Sequence, residues 1–125
     1  MNKKIFFYII FIIFSSTLFA QQKDDKGVYL RVEKMPVIEG GMAAIGKKVR
    51  YPKEARSMGL QGVVVIGFIV DEKGKATQAK ILKGVLGVLD KEALRVVTKE
   101  VKFTPGYHEG VAVPVRMVLP IRFKL

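Results

Sequence analysis

From Val111 to Leu125 every odd position is apolar: Val111, Val113, Val115, Met117, Leu119, Ile121, Phe123 and Leu125. A repeat of two sustained over this length is the signature of a β-strand with one buried face. The even positions are Ala112, Pro114, Arg116, Val118, Pro120, Arg122 and Lys124. Proline cannot donate to a ladder and is confined to edges or bulges. In a strand the backbone groups of alternate residues point toward the same neighbour, and Pro114 and Pro120 are both even. Both missing donors therefore face one side, predicted to be the open edge of a sheet, while the odd residues pair inward. A bulge between the prolines would shift this phase and is the alternative.

The inward neighbour is predicted to be Val63–Val70, rich in β-branched residues and apolar on both faces, as a central strand is. Asp71-Glu72-Lys73-Gly74 reads as a hairpin loop, after which Lys75–Lys83 returns as a more polar strand. The expected sheet is antiparallel, in spatial order second, first, third. Pro52 suits the first position of a helix running over Lys53–Met58 and stopped by Gly59. Leu89, Ala93, Val97 and Val101 recur at spacing four in a second helix, with Asp90 as its expected cap and Thr104-Pro105-Gly106 as its end. Lys91, Glu92, Arg95 and Lys99 are expected on its solvent face, with Glu92 a partner for Arg95. The fold class is thus α+β: a three-stranded antiparallel sheet, two helices and a long C-terminal edge strand. Upstream, Val28–Val32 could form a short strand and Met42–Arg50 a brief helical turn. Gly40-Gly41 reads as a turn, because no Lys-Ser/Thr follows at the spacing of a phosphate-binding loop.

The first twenty residues stand apart. Lys3 and Lys4 precede an unbroken apolar run, Ile5–Phe14, then Ser15-Ser16-Thr17 and a small residue, Ala20. That order is the pattern of a secretory signal peptide, placing the rest of the chain in the periplasm; an uncleaved inner-membrane anchor is the alternative. The expected organisation is 1–20 signal peptide, 21–50 N-terminal extension or linker, and 51–125 a single domain. Beyond Ala20 the chain holds twenty Lys/Arg against eleven Asp/Glu, a net charge of +9, and no cysteine, so disulfides contribute nothing to the fold. Such a basic balance fits nucleic acid, an acidic envelope surface or an acidic protein partner. Export, and six scattered aromatics with no stacking platform, argue against nucleic acid.

No catalytic site can be assembled by spacing. The chain has one histidine, His108, expected in an exposed loop, and no cysteine. Asp90 and Glu92 lie two apart on a helix start and do not face each other. The expectation is a binding module, not an enzyme, with no cofactor, no metal and no small-molecule substrate. The open edge is the candidate site. An extended peptide could add there as a fourth strand, pairing with the backbone at Arg116 and Val118 and again near Arg122 and Lys124. Arg116, Arg122, Lys124 and the prolines are equally the usual protection of an unused edge, so both readings remain open at this point. Two copies could also pair their edges as a homodimer.

A family resemblance bears on that choice. Tyr51-Pro52, Ala55, Gly59, Gly62, Val64-Ile66-Phe68-Val70, Asp71 and Gly74 resemble the C-terminal domain of TonB. So do Ile81-Leu82-Lys83-Gly84, Leu89-Asp90-Lys91-Glu92-Ala93, Phe103-Thr104-Pro105-Gly106, Gly110 and Leu119-Pro120-Ile121-Arg122-Phe123. Pro36 and Glu39-Gly40-Gly41-Met42 are similar to the leader of the Bacteroidetes-type branch. The resemblance implies a domain that captures the TonB box of outer-membrane receptors by strand addition to its last strand, here Val111–Leu125. It also implies Tyr51 and Pro52 as second contacts. TonB itself carries an uncleaved anchor, usually with a histidine that engages motor proteins, and a long proline-rich spacer. Residues 1–20 here hold no histidine, and the 30 residues from Gln21 to Arg50 hold one proline and reach at most about 100 Å. The expectation is a stand-alone periplasmic domain that binds a receptor box and supports or modulates energy-coupled transport. The alternative is an envelope module that binds acidic cell-wall polymer or another periplasmic protein without energy transduction.

Overall fold

A computed structural model describes residues 23–125, so the expected signal segment 1–20 lies outside the described residues. In chain order the elements are β1 (Val37–Ile38), α1 (Gly41–Lys48), α2 (Lys53–Ser57), β2 (Gly62–Val70) and β3 (Ala76–Lys83). They continue with α3 (Gly87–Arg95), β4 (Phe103–Thr104), β5 (Gly106–His108), β6 (Val111–Val113) and β7 (Val115–Phe123). The main sheet has the order β3-β2-β7, both pairings antiparallel, so the expected second-first-third arrangement is found. Two short pairs flank it, β1 with β4 and β5 with β6. Among the described residues no helix is long and apolar enough to cross a membrane.

β2 is central because its sequence leaves little to solvate, and Ile66 through Val70 are all buried. Val64, Ile66, Phe68 and Val70 share one face with Leu119, Ile121 and Phe123 of β7, and Leu89, Ala93, Val96 and Val97 cover that face. Phe103 packs its ring 5.2 Å from that of Phe68. Burial of one such side chain stabilises by roughly 1.5–3 kcal/mol, so this layer is the main source of stability in a chain without cysteine. Ile45 of α1 and Ala55 of α2 close it from the side. A smaller apolar group lies beyond it, where Val28, Val32 and Val115 are buried beside Gly106.

Several expectations need correction. There are three helices rather than two, since Gly41–Lys48 forms two full turns. The long C-terminal strand is broken at Pro114: β6 folds back on β5, while β7 pairs with β2. The cause is Glu109-Gly110, both at positive φ (53° and 77°), the two-residue turn that suits a tight hairpin. His108 therefore sits in β5, half-buried and with Nδ1 enclosed, rather than in an exposed loop.

Asp90 does not cap α3. That helix starts at Gly87 after an extended Leu86 with no side-chain cap, and Asp90, a turn inside, accepts the Val85 N–H at 2.9 Å. The missing side chain of Gly84 leaves room for its carboxylate. The helix also ends earlier than its apolar spacing suggests. Val96–Glu100 form one π-helical turn that puts both Val96 and Val97 against the sheet, and after an extended Val101-Lys102 link the chain enters β4. At Gly74 (φ +83°) a Cβ would collide with the Phe103 carbonyl, which accepts no alternative residue there; the Gly74 carbonyl accepts the Phe103 N–H at 3.2 Å.

Candidate functional site

The geometry of β7 decides what its outer side can do. It pairs with β2 through nine positions, Gly62↔Phe123 to Val70↔Val115, without a single register shift. The bulge that would have broken the proline phase is absent from this pairing. Arg116 donates its N–H outward, to the Tyr29 carbonyl at 2.9 Å, and the Pro114 carbonyl accepts the Tyr29 N–H at 2.9 Å. Even positions thus face away from β2, and by alternation the N–H groups of Val118 and Arg122 do so too. No hydrogen bond among the described residues joins those two outward groups to another segment.

The upstream end of the edge is occupied. Tyr29 forms a parallel bridge with Val115, so the backbone of Arg116 is already paired, and its side chain lies 3.7 Å from Asp24. The Val28–Val32 stretch expected as a short strand forms no strand; it supplies only isolated bridges, from Tyr29 to Val115 and to Lys23. The Asp24 carboxyl is held below its ordinary range by the Val28 N–H first, with burial opposing, and then by the Lys26 N–H and the Arg116 charge.

The downstream end is flanked by a concavity of about 430 Å³, lined by α1 (Met42, Ile45, Gly46), Val49, Tyr51, Arg56 and the β7 end from Pro120 to Lys124. Tyr51 is fixed there by three contacts. Its hydroxyl donates to the Leu60 carbonyl, its ring stands edge-on to Phe123 at 5.8 Å and 85°, and Arg56 lies 5.5 Å over its face. Of the residues singled out by sequence, Tyr51, Arg122 and Lys124 are therefore brought together. Val118 lies just upstream, exposed on the open edge. Arg116 is set apart under Asp24 and Tyr29, and Pro52, at the start of α2, faces a different groove.

That second groove, about 700 Å³, runs between the Arg50–Glu54 stretch and α3. It is clamped by Glu92, expected on a solvated face but only 9% exposed. Arg95 Nε donates to Glu92 Oε1 at 2.5 Å, the Arg50 N–H donates to Glu92 Oε2 at 2.9 Å, and Arg95 Nη2 donates to the Lys48 carbonyl at 3.0 Å. Burial pushes the Glu92 carboxyl up, but the Arg95 hydrogen bond and the Arg50 N–H outweigh it and hold it below its ordinary value of 4.5. The same hydrogen bond, donated by Arg95 to Glu92, and a second one donated to Glu100 raise Arg95 above the usual guanidinium range. This clamp fixes the 48–50 backbone and so delivers Tyr51 to the β7 flank. Among the described residues no cluster of His, Asp or Glu is arranged to hold a metal.

Sequence reasoning missed Asp24 and Tyr29 at the edge and Met42, Ile45 and Val49 in its flank. The one available signal for the former was Asp24-Asp25-Lys26-Gly27, a turn composition directly before an apolar pair.

Comparison with known proteins matches this frame. Residues 47–125 match the family described as Gram-negative bacterial TonB protein C-terminal. The chain is 33% identical over 97 residues to protein TonB of Vibrio cholerae, covering 75% of this chain and 39% of that protein. It is 30% identical over 83 residues to protein TonB of Helicobacter pylori, covering 66% of this chain and 28% of the relative. The chain thus spans well under half the length of these relatives. Two solution structures of the Helicobacter pylori TonB C-terminal domain share the fold. One has a TM-score of 0.51 at 27% identity, covering 67% of this chain and 76% of that one. The other has 0.52 at 28%, covering 66% and 86%. An unshifted C-terminal strand on the sheet edge, Tyr51 seated against its end and a family match over residues 47–125 lead to one identification: the chain belongs to the TonB C-terminal domain family.

Proposed function

We propose that this domain, exported to the periplasm, binds the TonB box of an outer-membrane receptor by adding it as a fourth strand to β7, and so supports or modulates energy-coupled transport. The observation that carries this reading is the straight outer edge of β7, where Tyr29 already forms strand-like hydrogen bonds to Pro114 and Arg116. Backbone pairing at Val118, Arg122 and Lys124 supplies affinity on this reading. Alternate side chains of the added segment lie over the concavity of Met42, Ile45 and Tyr51. Arg56, Arg122 and Lys124 around it favour a segment carrying negative charge.

The test is a titration of the chain with receptor box peptides, followed by backbone amide shifts at low and high salt. Saturable shifts concentrated at Val118, Arg122 and Lys124, little altered by salt, are expected. One specific feature favours a second reading, binding of acidic cell-wall polymer: the groove between α2 and α3 is lined by Lys53, Lys91 and Lys99. Shifts spread over those lysines and lost steeply with salt would displace the strand-addition reading in its favour.

A further inference from the structure

The segment over the upstream end of β7 is a preformed object rather than a stray contact. Lys23 and Tyr29 form an antiparallel bridge that closes a loop, with Gly27 at φ +82° in its turn. Asp24 holds the loop from inside. Its N–H donates to the Val28 carbonyl at 2.8 Å, and its Oδ1 accepts the N–H groups of Lys26 and Val28, both at 2.9 Å. Lys23 Nζ lies 5.5 Å over the Tyr29 ring, which packs 5.1 Å from the His108 ring. Beyond it, Val28 and Val32 are buried, and Lys34 exchanges two backbone hydrogen bonds with Tyr107, at 3.1 and 2.9 Å. Anchored on both sides, Tyr29 offers β7 the donor and acceptor that one residue of an added strand would offer.

We infer that the Lys23–Tyr29 loop is a built-in end stop that fixes the register of a docked strand. The inference rests on the docking reading proposed above. With Pro114 and Arg116 already paired, an incoming segment finds its first open donor at Val118 and its next at Arg122, since Pro120 has none. It is confined to Val118–Lys124 and cannot slip upstream by two residues, a slip that strand alternation alone would permit because it keeps every side chain on its face. The stop therefore selects which side chains of the partner lie over the Met42–Tyr51 concavity. The partner is a short extended segment read in one register, not a long sliding strand.

The test compares the full chain with Asp24→Ala/Tyr29→Pro, which removes the loop's internal acceptor and the N–H given to Pro114, and with the milder Asp24→Ala. Amide hydrogen exchange is followed with and without a seven-residue receptor box peptide, and with that peptide lengthened by two residues at each end. Unchanged protection at Val64 and Ile66 certifies the fold. Without peptide, the Arg116 amide exchanges slowly in the wild type and as fast as Val118 in the double variant, with Asp24→Ala between them. With either peptide, Val118 and Arg122 gain protection in the wild type while Tyr29 and Arg116 are unchanged. In the double variant Arg116 joins them, and the advantage of the long peptide over the short one rises by about tenfold relative to wild type, as two further backbone hydrogen bonds give. Loss of Tyr29 protection when peptide binds the wild type, or fast Arg116 exchange in its free form, overturns the stop. Absence of protection at Val118 and Arg122 in every protein overturns the docking reading, and the stop's role with it.

Discussion

β3 and β7 are the two edges of one three-stranded sheet, both pairing with β2, yet they are built to opposite ends. The β2–β3 pairing shifts register twice, between Val65 and Ile66 and between Gly67 and Ile69, and Gln78 sits at φ +50°, where few non-glycine residues go. The β2–β7 pairing runs through nine positions unshifted. A straight edge repeats its outward donors at the spacing of another strand, about 7 Å per two residues. A bulged edge does not, and bulges with Lys80 and Lys83 alongside are how a sheet is kept from recruiting strangers. On the proposed docking reading, what separates a dock from a merely exposed strand here is regularity. Pro120 of β7, like Pro114 just before it, falls on the outward parity: it removes one outward donor but leaves the ladder to β2 whole.

The largest test of that contrast is a pair of prolines one residue apart. Met117→Pro removes an inward N–H opposite Phe68 and strands a buried carbonyl, and should lower stability by roughly 3 kcal/mol, much of what a small domain has. Denaturant unfolding monitored by circular dichroism reads it. Val118→Pro removes only an outward donor and should shift stability by less than about 1 kcal/mol, while weakening receptor-peptide binding by at least about tenfold. If the two substitutions unfold the domain equally, the outward parity assigned to even residues is wrong.

The same contrast explains what could be read from the sequence. The order of the sheet and the position of β7 were legible because both follow from local periodicity: a two-residue repeat, and the parity of Pro114 and Pro120. The break at Pro114 was not, because it depends on Glu109 and Gly110 both taking positive φ, and glutamate gives little sign of doing so. Tyr29 on the β7 edge was also hidden, since a single bridge between residues far apart in the chain leaves no periodic trace. Glu92 misled for a related reason. Its position on the helix wheel predicts solvent, but Arg50 and Lys48 come from outside that helix to bury it. Arg122 and Lys124 came from the strand parity, whereas Tyr51 and Pro52 came through the resemblance, and of these two only Tyr51 lies beside the β7 end.

Glu92 provides a test of middle size that bears on the β7 side alone. Its folded carboxyl titrates below the ordinary value of 4.5, so it contributes stability above that value, and the contribution is lost as pH falls through the lower folded value. Glu92→Gln should cost about 1–3 kcal/mol near neutral pH and flatten the acid limb of the stability curve below pH 4.5. Because the clamp delivers Tyr51 to the β7 flank, the variant should also broaden the amide signals of Tyr51 and Phe123 while leaving those of Thr77 and Lys80 on β3 unchanged. Broadening on both edges would mean that the clamp supports the whole helical layer rather than one flank.

The smallest effect is expected at the other edge. Gln78 holds a left-handed backbone that glycine adopts freely, and the strain of keeping a side chain there is of order 1 kcal/mol. Glycine gives back part of that gain through its larger entropy loss on folding. Gln78→Gly should therefore raise stability by only about 0.5 kcal/mol, a few degrees in Tm for a domain of this size. Its use lies in what it does not do. If β3 is excluded from docking by its bulged backbone rather than by its side chains, the relaxed variant keeps the two register shifts, and receptor peptides still perturb only the β7 amides. Should Gln78→Gly straighten the ladder and bring β3 amides into the titration, then one strained residue would be what keeps this sheet from having two docking edges.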